Sequence, residues 1–474
     1  MNDISNSTVK IHTEKHKRGK DLRVLFLEWA SKGRDFEIDL PLMYFFEKVL
    51  SAKVEYKCIF DVWGIIRSKP DIIIMSNTTG GKVNFELAKR IHKSGFLFFS
   101  HVSEGLLVED RLNTFMWGWN KDKQLYEKLT MLWSQRAYDI LIDKYPYTKH
   151  KLKMSGATGF DKYKIYKSKI SFDSMGFKQI VLYAGWSFIY LESNFNNVKT
   201  DLIKQFGADK ARKLFDYKNK IKMIFHEIVP KNPDTLFIFK NHPGEFSQNC
   251  PEGEDLETYE NVRYIKNEYS FSELLEHSDV LLTFKSTTNL EGYLLDKPVI
   301  ILCEDKVLLS DLPTAQNGFL CEDSKKINQY IKEHFSTGKI KDYDEKKMSR
   351  EKIIKDCIGF SDGFNHVRFM SFLKPYIESD IPKGQWQFSF KEKVKAFLYR
   401  LYYKCQFFLP KHDYINRWRN LFNPEDIIEQ KNKRYPELDR FYKDNIDEIQ
   451  NIYKNYANQW EKINHIDEIN HSKN

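Results

Sequence analysis

Cysteine is scarce in this chain. Its six cysteines are Cys58, Cys250, Cys303, Cys321, Cys357 and Cys405, and none forms a CxxC pair. So few, so scattered over 474 residues, exclude a disulfide framework or a cysteine zinc site and point to a reducing compartment. Long apolar runs are missing as well: no stretch approaches the roughly 20 residues that cross a bilayer. The leading segment MNDISNSTVKIHTEKHKRGK is polar and basic, without the apolar core of a secretion signal. The expected location is the cytoplasm. Chemical signatures are absent too. There is no GxxxxGK[ST], and no GxGxxG after the first strand, which argues against a P-loop kinase and a dinucleotide enzyme. No GxSxG or HExxH occurs. No DxD-type pair ends a strand, so neither a metal nor another cofactor is expected.

Apolar and aromatic residues are plentiful, at 41% and 15%. They supply sizeable cores, and the length suits about two or three domains. The net charge is +9. A basic balance attracts phosphates, whether on nucleic acid, anionic lipid or a sugar nucleotide, and does not choose among them.

The chain alternates short apolar runs with helical patterns. Leu22–Leu27 (LRVLFL), Lys53–Phe60, Asp71–Met75 (DIIIM) and Gly95–Phe99 (GFLFF) read as strands, with helices over Leu42–Leu50 and Phe85–His92 between them. A second series holds Gln179–Tyr183, Thr235–Lys240, Val262–Ile265, Val280–Phe284 and Pro298–Leu302, with helices over Asp216–Val229, Phe271–His277 and Thr288–Leu295. This rhythm predicts an α/β protein of two Rossmann-like, doubly wound domains facing a cleft. The expected divisions are a disordered lead at 1–20, domains at 21–175 and 176–375, and a helical basic and aromatic extension at 376–474. Within the extension, residues 391–420 carry eight Lys/Arg against Glu392 and Asp413, with apolar residues at helical spacing. Such a helix either packs on the domains or docks on an anionic membrane surface.

Three clusters sit where strands of such a sheet end. Lys240-Asn241-His242-Pro243-Gly244-Glu245 follows the TLFIFK strand, and Lys240 and His242 suit a phosphate. Lys285-Ser286-Thr287-Thr288-Asn289-Leu290-Glu291 joins a strand to a helix. Its Ser and Thr residues cap that helix, where backbone N–H groups attract anions. Glu291 lies one turn in, placed to cap the helix or to take ribose hydroxyls. His101-Val102-Ser103-Glu104-Gly105 follows the GFLFF strand of the first domain. Glu104 is the expected base for an acceptor hydroxyl, with Arg34 and His101 on the same acceptor side. Each cluster alone also reads as a plain polar turn or cap.

In order and placement these residues resemble bacterial surface carbohydrate biosynthesis proteins, and the GT-B transferases that use CMP-activated acidic sugars, such as Kdo transferases and bacterial sialyltransferases. Glu104-Gly105 matches their acidic-Gly motif, His242-Pro243 their His-Pro motif, and Ser286-Thr287 their Ser/Thr motif. The runs Trp117–Asn120, Leu132–Gln135 and Ser155–Asp161 resemble the stretch that closes the first domain in the surface-carbohydrate family. One place departs: Ser103 stands where the acidic motif often has a first carboxylate. The resemblance implies an inverting, metal-independent transfer from a sugar nucleotide to a glycan or lipid-linked glycan of a capsule or lipopolysaccharide. The enzyme would sit in the cytoplasm or on the inner face of the plasma membrane. Two other readings stay open. One is a CDP-polyol phosphotransferase of teichoic-acid-like polymer synthesis, with His101 as base. The other is a non-enzymatic anion or nucleic-acid binder, although no nucleic acid is the expected partner.

Overall fold

The computed structural model describes residues 22–31, 33–79, 81–109, 123–168, 170–172, 176–186, 188, 207–242, 251–266, 268–315, 318–405 and 423–471. The chain forms two compact units. The first joins Met1–Tyr166 to Ile358–Asn474, and the second is Lys167–Cys357. Together they make the two-domain α/β fold of the GT-B type, with a helical C-terminal region.

In the first unit the elements run β1 (Arg23–Glu28), α1 (Arg34–Tyr44), β2 (Lys53–Cys58), α2 (Val62–Arg67), β3 (Ile72–Ser76), α3 (Lys82–Lys93), β4 (Leu97–His101), β5 (Thr130–Leu132), α4 (Gln135–Lys144), β6 (Leu152–Met154) and α5 (Lys162–Ile165). They build a parallel six-stranded sheet in the order β2-β1-β3-β4-β5-β6. Strands β3 and β4 are buried along their whole length. This is why they read as unbroken apolar runs rather than alternating ones. Strands β5 and β6 carry three residues each, too few to show a period in the sequence.

The second unit holds β7 (Gln179–Ala184), α6 (Ala208–Ile228), β8 (Thr235–Lys240), β9 (Val262–Ile265), α7 (Phe271–His277), β10 (Val280–Thr283), α8 (Thr288–Leu294), β11 (Val299–Ile301), α9 (Ser324–Thr337), α10 (Lys341–Asp344) and α11 (Lys347–Ile358). Its parallel sheet has the order β11-β10-β7-β8-β9. The strands lie where the sequence pattern places them. Helix α6 starts eight residues before the expected Asp216, after Gly207 at φ +82°.

The chain then returns to the first unit through α12 (Asn365–Glu378), α13 (Phe390–Cys405), α14 (Pro424–Asp444) and α15 (Ile446–His471). The units divide at 166/167 and 357/358, and the helices after Ile358 belong to the first unit. The reason is packing. Leu438, Tyr442, Ile449, Tyr453 and Trp460 share one buried core with Phe26, Tyr44, Phe45 and Phe46. Tyr44 lies 4.8 Å from Tyr442, Phe45 lies 5.1 Å from Tyr453, and Tyr138 lies 5.3 Å from Trp460, ring centre to ring centre.

A buried polar joint ties the two segments. Asp161 accepts from the backbone N–H of Asn365 at 3.1 Å and of His366 at 2.8 Å, and from His366 Nδ1 at 2.8 Å. The other His366 nitrogen meets the Tyr442 hydroxyl at 2.8 Å. The Ser155–Asp161 run thus caps α12. Gly156, at φ +85°, leaves room for the Asn365 side chain, which a Cβ would meet at 2.0 Å.

Candidate functional site

In a doubly wound sheet, ligands bind at the carboxyl ends of the strands where the order reverses. In the first unit that point lies between β1 and β3, and in the second between β7 and β10.

The first crevice is built on a buried acidic cluster. Glu28, the last residue of β1, accepts from the Ser76 backbone N–H at 2.9 Å and the Ser76 hydroxyl at 2.5 Å, clamping the ends of β1 and β3. His101, at the end of β4, places Nε2 2.9 Å from Asp39 of α1 and 4.0 Å from Glu28. All three side chains are buried, and each offers a ligand atom within 4.8 Å of the others. Burial, then the neighbouring Asp39 and Asp35 carboxyls, hold Glu28 well above the usual carboxylate range. Burial and Asp35 do the same to Asp39. Burial lowers His101. Burial thus disfavours charge on all three groups.

Glu104 and Arg34 lie above this cluster and form an ion pair, each about half exposed. The structure thus joins two of the residues expected on the acceptor side. It places the third, His101, below them in the interior, 3% exposed. The loop that carries Glu104 is closely held. Asn77 accepts from the Ser103 N–H at 3.0 Å and donates to the Ser103 hydroxyl. Trp133 donates to the Val102 carbonyl at 2.6 Å, and its ring fills the place where a side chain on Gly105 would stand.

The sequence reading missed Asp35. This half-buried carboxyl, in the first turn of α1, lies near Arg34, Glu104 and Ser103. Burial raises its pKa, and the Glu104 charge raises it further. A second carboxyl therefore reaches the place that Ser103 occupies, from another element. An acid in a helix's first turn looks like an ordinary dipole partner, and nothing in the sequence links positions 35 and 103.

At the second switch point aromatic residues pack together beneath the strand ends. Trp186, after β7, lies 5.5 Å from Phe284, after β10, and Tyr217 stacks on Phe284 at 5.3 Å. The buried Glu252 accepts from the Trp186 N–H at 3.2 Å and the Tyr183 hydroxyl at 2.8 Å. The His242 and Ser286 loops flank this point, since β8 and β10 lie on either side of β7. Ser286 Oγ accepts from the Thr288 N–H at 3.2 Å and the Thr288 hydroxyl at 2.9 Å, closing a turn just ahead of α8. Thr287 is exposed, and Glu291 is half-buried in the first turn. Asn289, in the same cluster, is buried and accepts from Thr283 at 2.6 Å, fastening α8 to β10.

The lysines at these two strand ends have partners within the second unit. Lys240 donates to the carbonyl of Lys266, and burial lowers its pKa. Lys285 is paired with Asp311 and donates to the Leu308 carbonyl at 2.8 Å. His242 is half-buried at the crevice, and Pro243 lies outside the described residues.

Comparison with known proteins places these features. Residues 204–305 match the family model described as capsule polysaccharide biosynthesis protein, a stretch that holds both His242 and Ser286–Glu291. No curated protein matches the chain by sequence. Among solved structures, a candidate UDP-N-acetylglucosamine 2-epimerase from Listeria monocytogenes aligns at TM-score 0.50 and 14% identity, covering 77% of this chain and 99% of its own. The UDP co-structure of MnaA from S. aureus aligns at TM-score 0.50 and 14% identity, covering 78% and 100%. At this identity the likeness is one of fold.

Proposed function

We propose that the chain is a GT-B glycosyltransferase of surface polysaccharide synthesis, taking a sugar from a nucleotide donor. The observation that carries this reading is the capsule-biosynthesis match over the segment that brings His242 and Ser286–Glu291 to one switch point. An imidazole beside a helix start suits a nucleotide phosphate. The UDP held by the structurally similar MnaA supports a nucleotide ligand in this fold.

In this reading Glu104 takes the proton of an acceptor hydroxyl, and Arg34 orients its carboxylate. The acceptor oxygen forms a bond to the anomeric carbon while the bond from that carbon to the phosphate oxygen breaks. The departing nucleotide keeps the electron pair and is held by His242, Ser286 and Thr287. The buried His101 is poorly placed to act as base, which favours sugar transfer over polyol-phosphate transfer.

The test is a thermal-shift panel of CMP, CDP, UDP and GDP on the chain and on His242→Ala. A ligand that binds only the folded state raises its melting temperature. One nucleotide is expected to stabilise the parent and to lose most of that effect in the variant. Equal shifts in both proteins, or none with any nucleotide, refute the assignment, and a CMP-selective shift identifies an acidic-sugar donor.

A further inference from the structure

Helix α13 leaves an apolar face uncovered. Phe390, Val394, Phe397, Leu398 and Leu401 are between 39% and 83% exposed, whereas most large apolar side chains among the described residues are buried. At 3.6 residues per turn these five fall within about 100° of arc. Lys391 and Lys395 follow on one edge of that stripe, and Lys393 and Arg400 on the other.

The opposite face holds the helix on the first unit. Glu392 pairs with Arg90 of α3 at 2.6 Å, and Ala396 is buried. The segment leading into the helix is fastened as well. Trp386 packs on Phe96 at 4.5 Å and donates to the Ser68 carbonyl at 3.1 Å, and the Gln385 N–H donates to the Ser94 carbonyl at 2.8 Å. Trp63 of α2 meets Phe397 at 5.1 Å and widens the apolar patch. Ser68 and Ser94 precede β3 and β4, so the helix is anchored near the amino ends of those strands. The carboxyl-end crevice that holds Glu104 lies at the sheet's other end.

We propose that this face of α13 docks the protein on an anionic lipid bilayer. The stripe enters the boundary between headgroups and acyl chains, and the flanking cations meet the lipid phosphates. The charge pattern selects this occupant. A protein partner is expected to meet a charge-depleted patch centre with a mixed polar rim. Here the rim is cationic on both edges, and the one acidic residue of the helix is turned inward onto Arg90. No helix among the described residues is long and apolar enough to cross a membrane, so docking of this kind is in the plane of the surface.

The test uses the full chain and flotation with phosphatidylcholine vesicles, with and without phosphatidylglycerol. Binding is expected on the anionic vesicles, falling with added salt, and is expected to be weak on neutral ones. A Leu398→Glu/Leu401→Glu variant is expected to bind roughly tenfold or more weakly. A Lys391→Glu/Lys393→Glu variant is expected to lose at least about fivefold per cation. Both replace exposed side chains, and unchanged melting temperatures confirm that they fold. Flotation of the parent and both variants to the same extent overturns the proposal. So does a parent that ignores vesicles and sediments as a dimer that Leu398→Glu/Leu401→Glu turns into monomer, since a second copy then covers the stripe.

Discussion

Glu104 and Gly105 are neighbours with separate tasks. The carboxylate of Glu104 is exposed and paired with Arg34, and an exposed pair of this kind adds little stability. Glu104→Gln is therefore expected to leave the melting temperature nearly unchanged. It is expected to lower kcat by about 10²–10⁴-fold with little change in KM, read with the donor found in the nucleotide panel. Gly105 is a matter of space. A Cβ there would stand 2.5 Å from the Trp133 ring, and Trp133 is held by its bond to Val102. Gly105→Ala is expected to destabilise by about 1–3 kcal/mol in denaturant unfolding, the usual cost of overpacking. The sequence shows Glu104-Gly105 as a motif. It does not show Asp35 beside Ser103, because that contact joins residues far apart in the chain.

At the scale of elements, β1, β3, β4 and α1 meet in the Glu28, Asp39 and His101 cluster. Glu28 and Asp39 have raised pKa values in the fold, so the folded state binds more protons than the unfolded chain above about pH 4. By linkage, their contribution to stability then falls as pH rises. His101 works in the opposite sense: its lowered pKa favours the neutral ring, and its contribution falls as pH drops below about 6.5. Glu28→Gln and Asp39→Asn each remove one carboxyl titration. Compared with the parent, each is expected to lose less stability between about pH 5 and pH 8, as measured by urea unfolding across that range. A parallel loss in parent and variants refutes the upward shift of these two carboxyls. In the second unit α7 was fully legible. Ser270 and Glu273 form a reciprocal cap, and the helix spans Phe271–His277 as expected.

At the scale of the whole molecule, the last two helices complete the first unit. Leu438, Tyr442 and Ile449 are fully buried, and Tyr442 closes the bond series through His366 to Asp161. A chain ending at residue 422 is expected to unfold the first unit at a much lower temperature. The second unit, whose core lies within 167–357, is expected to keep its own transition in calorimetry. A single unshifted transition in the shortened chain contradicts this division.

Local pattern alone determined the two series of buried strands, the helices between them, and the polar clusters that follow β4, β8 and β10. Each depends on residues close in the chain, where period and capping act. Tertiary structure decided the rest. It assigned the helices after Ile358 to the first unit, because amphipathic helices disclose an apolar face but not the surface that covers it. It also brought Arg34 to Glu104, drew His101 inward to Asp39, and turned Lys240 and Lys285 toward internal partners. A charged side chain's partner is set by which strands lie side by side, and in a parallel sheet those strands are distant in sequence.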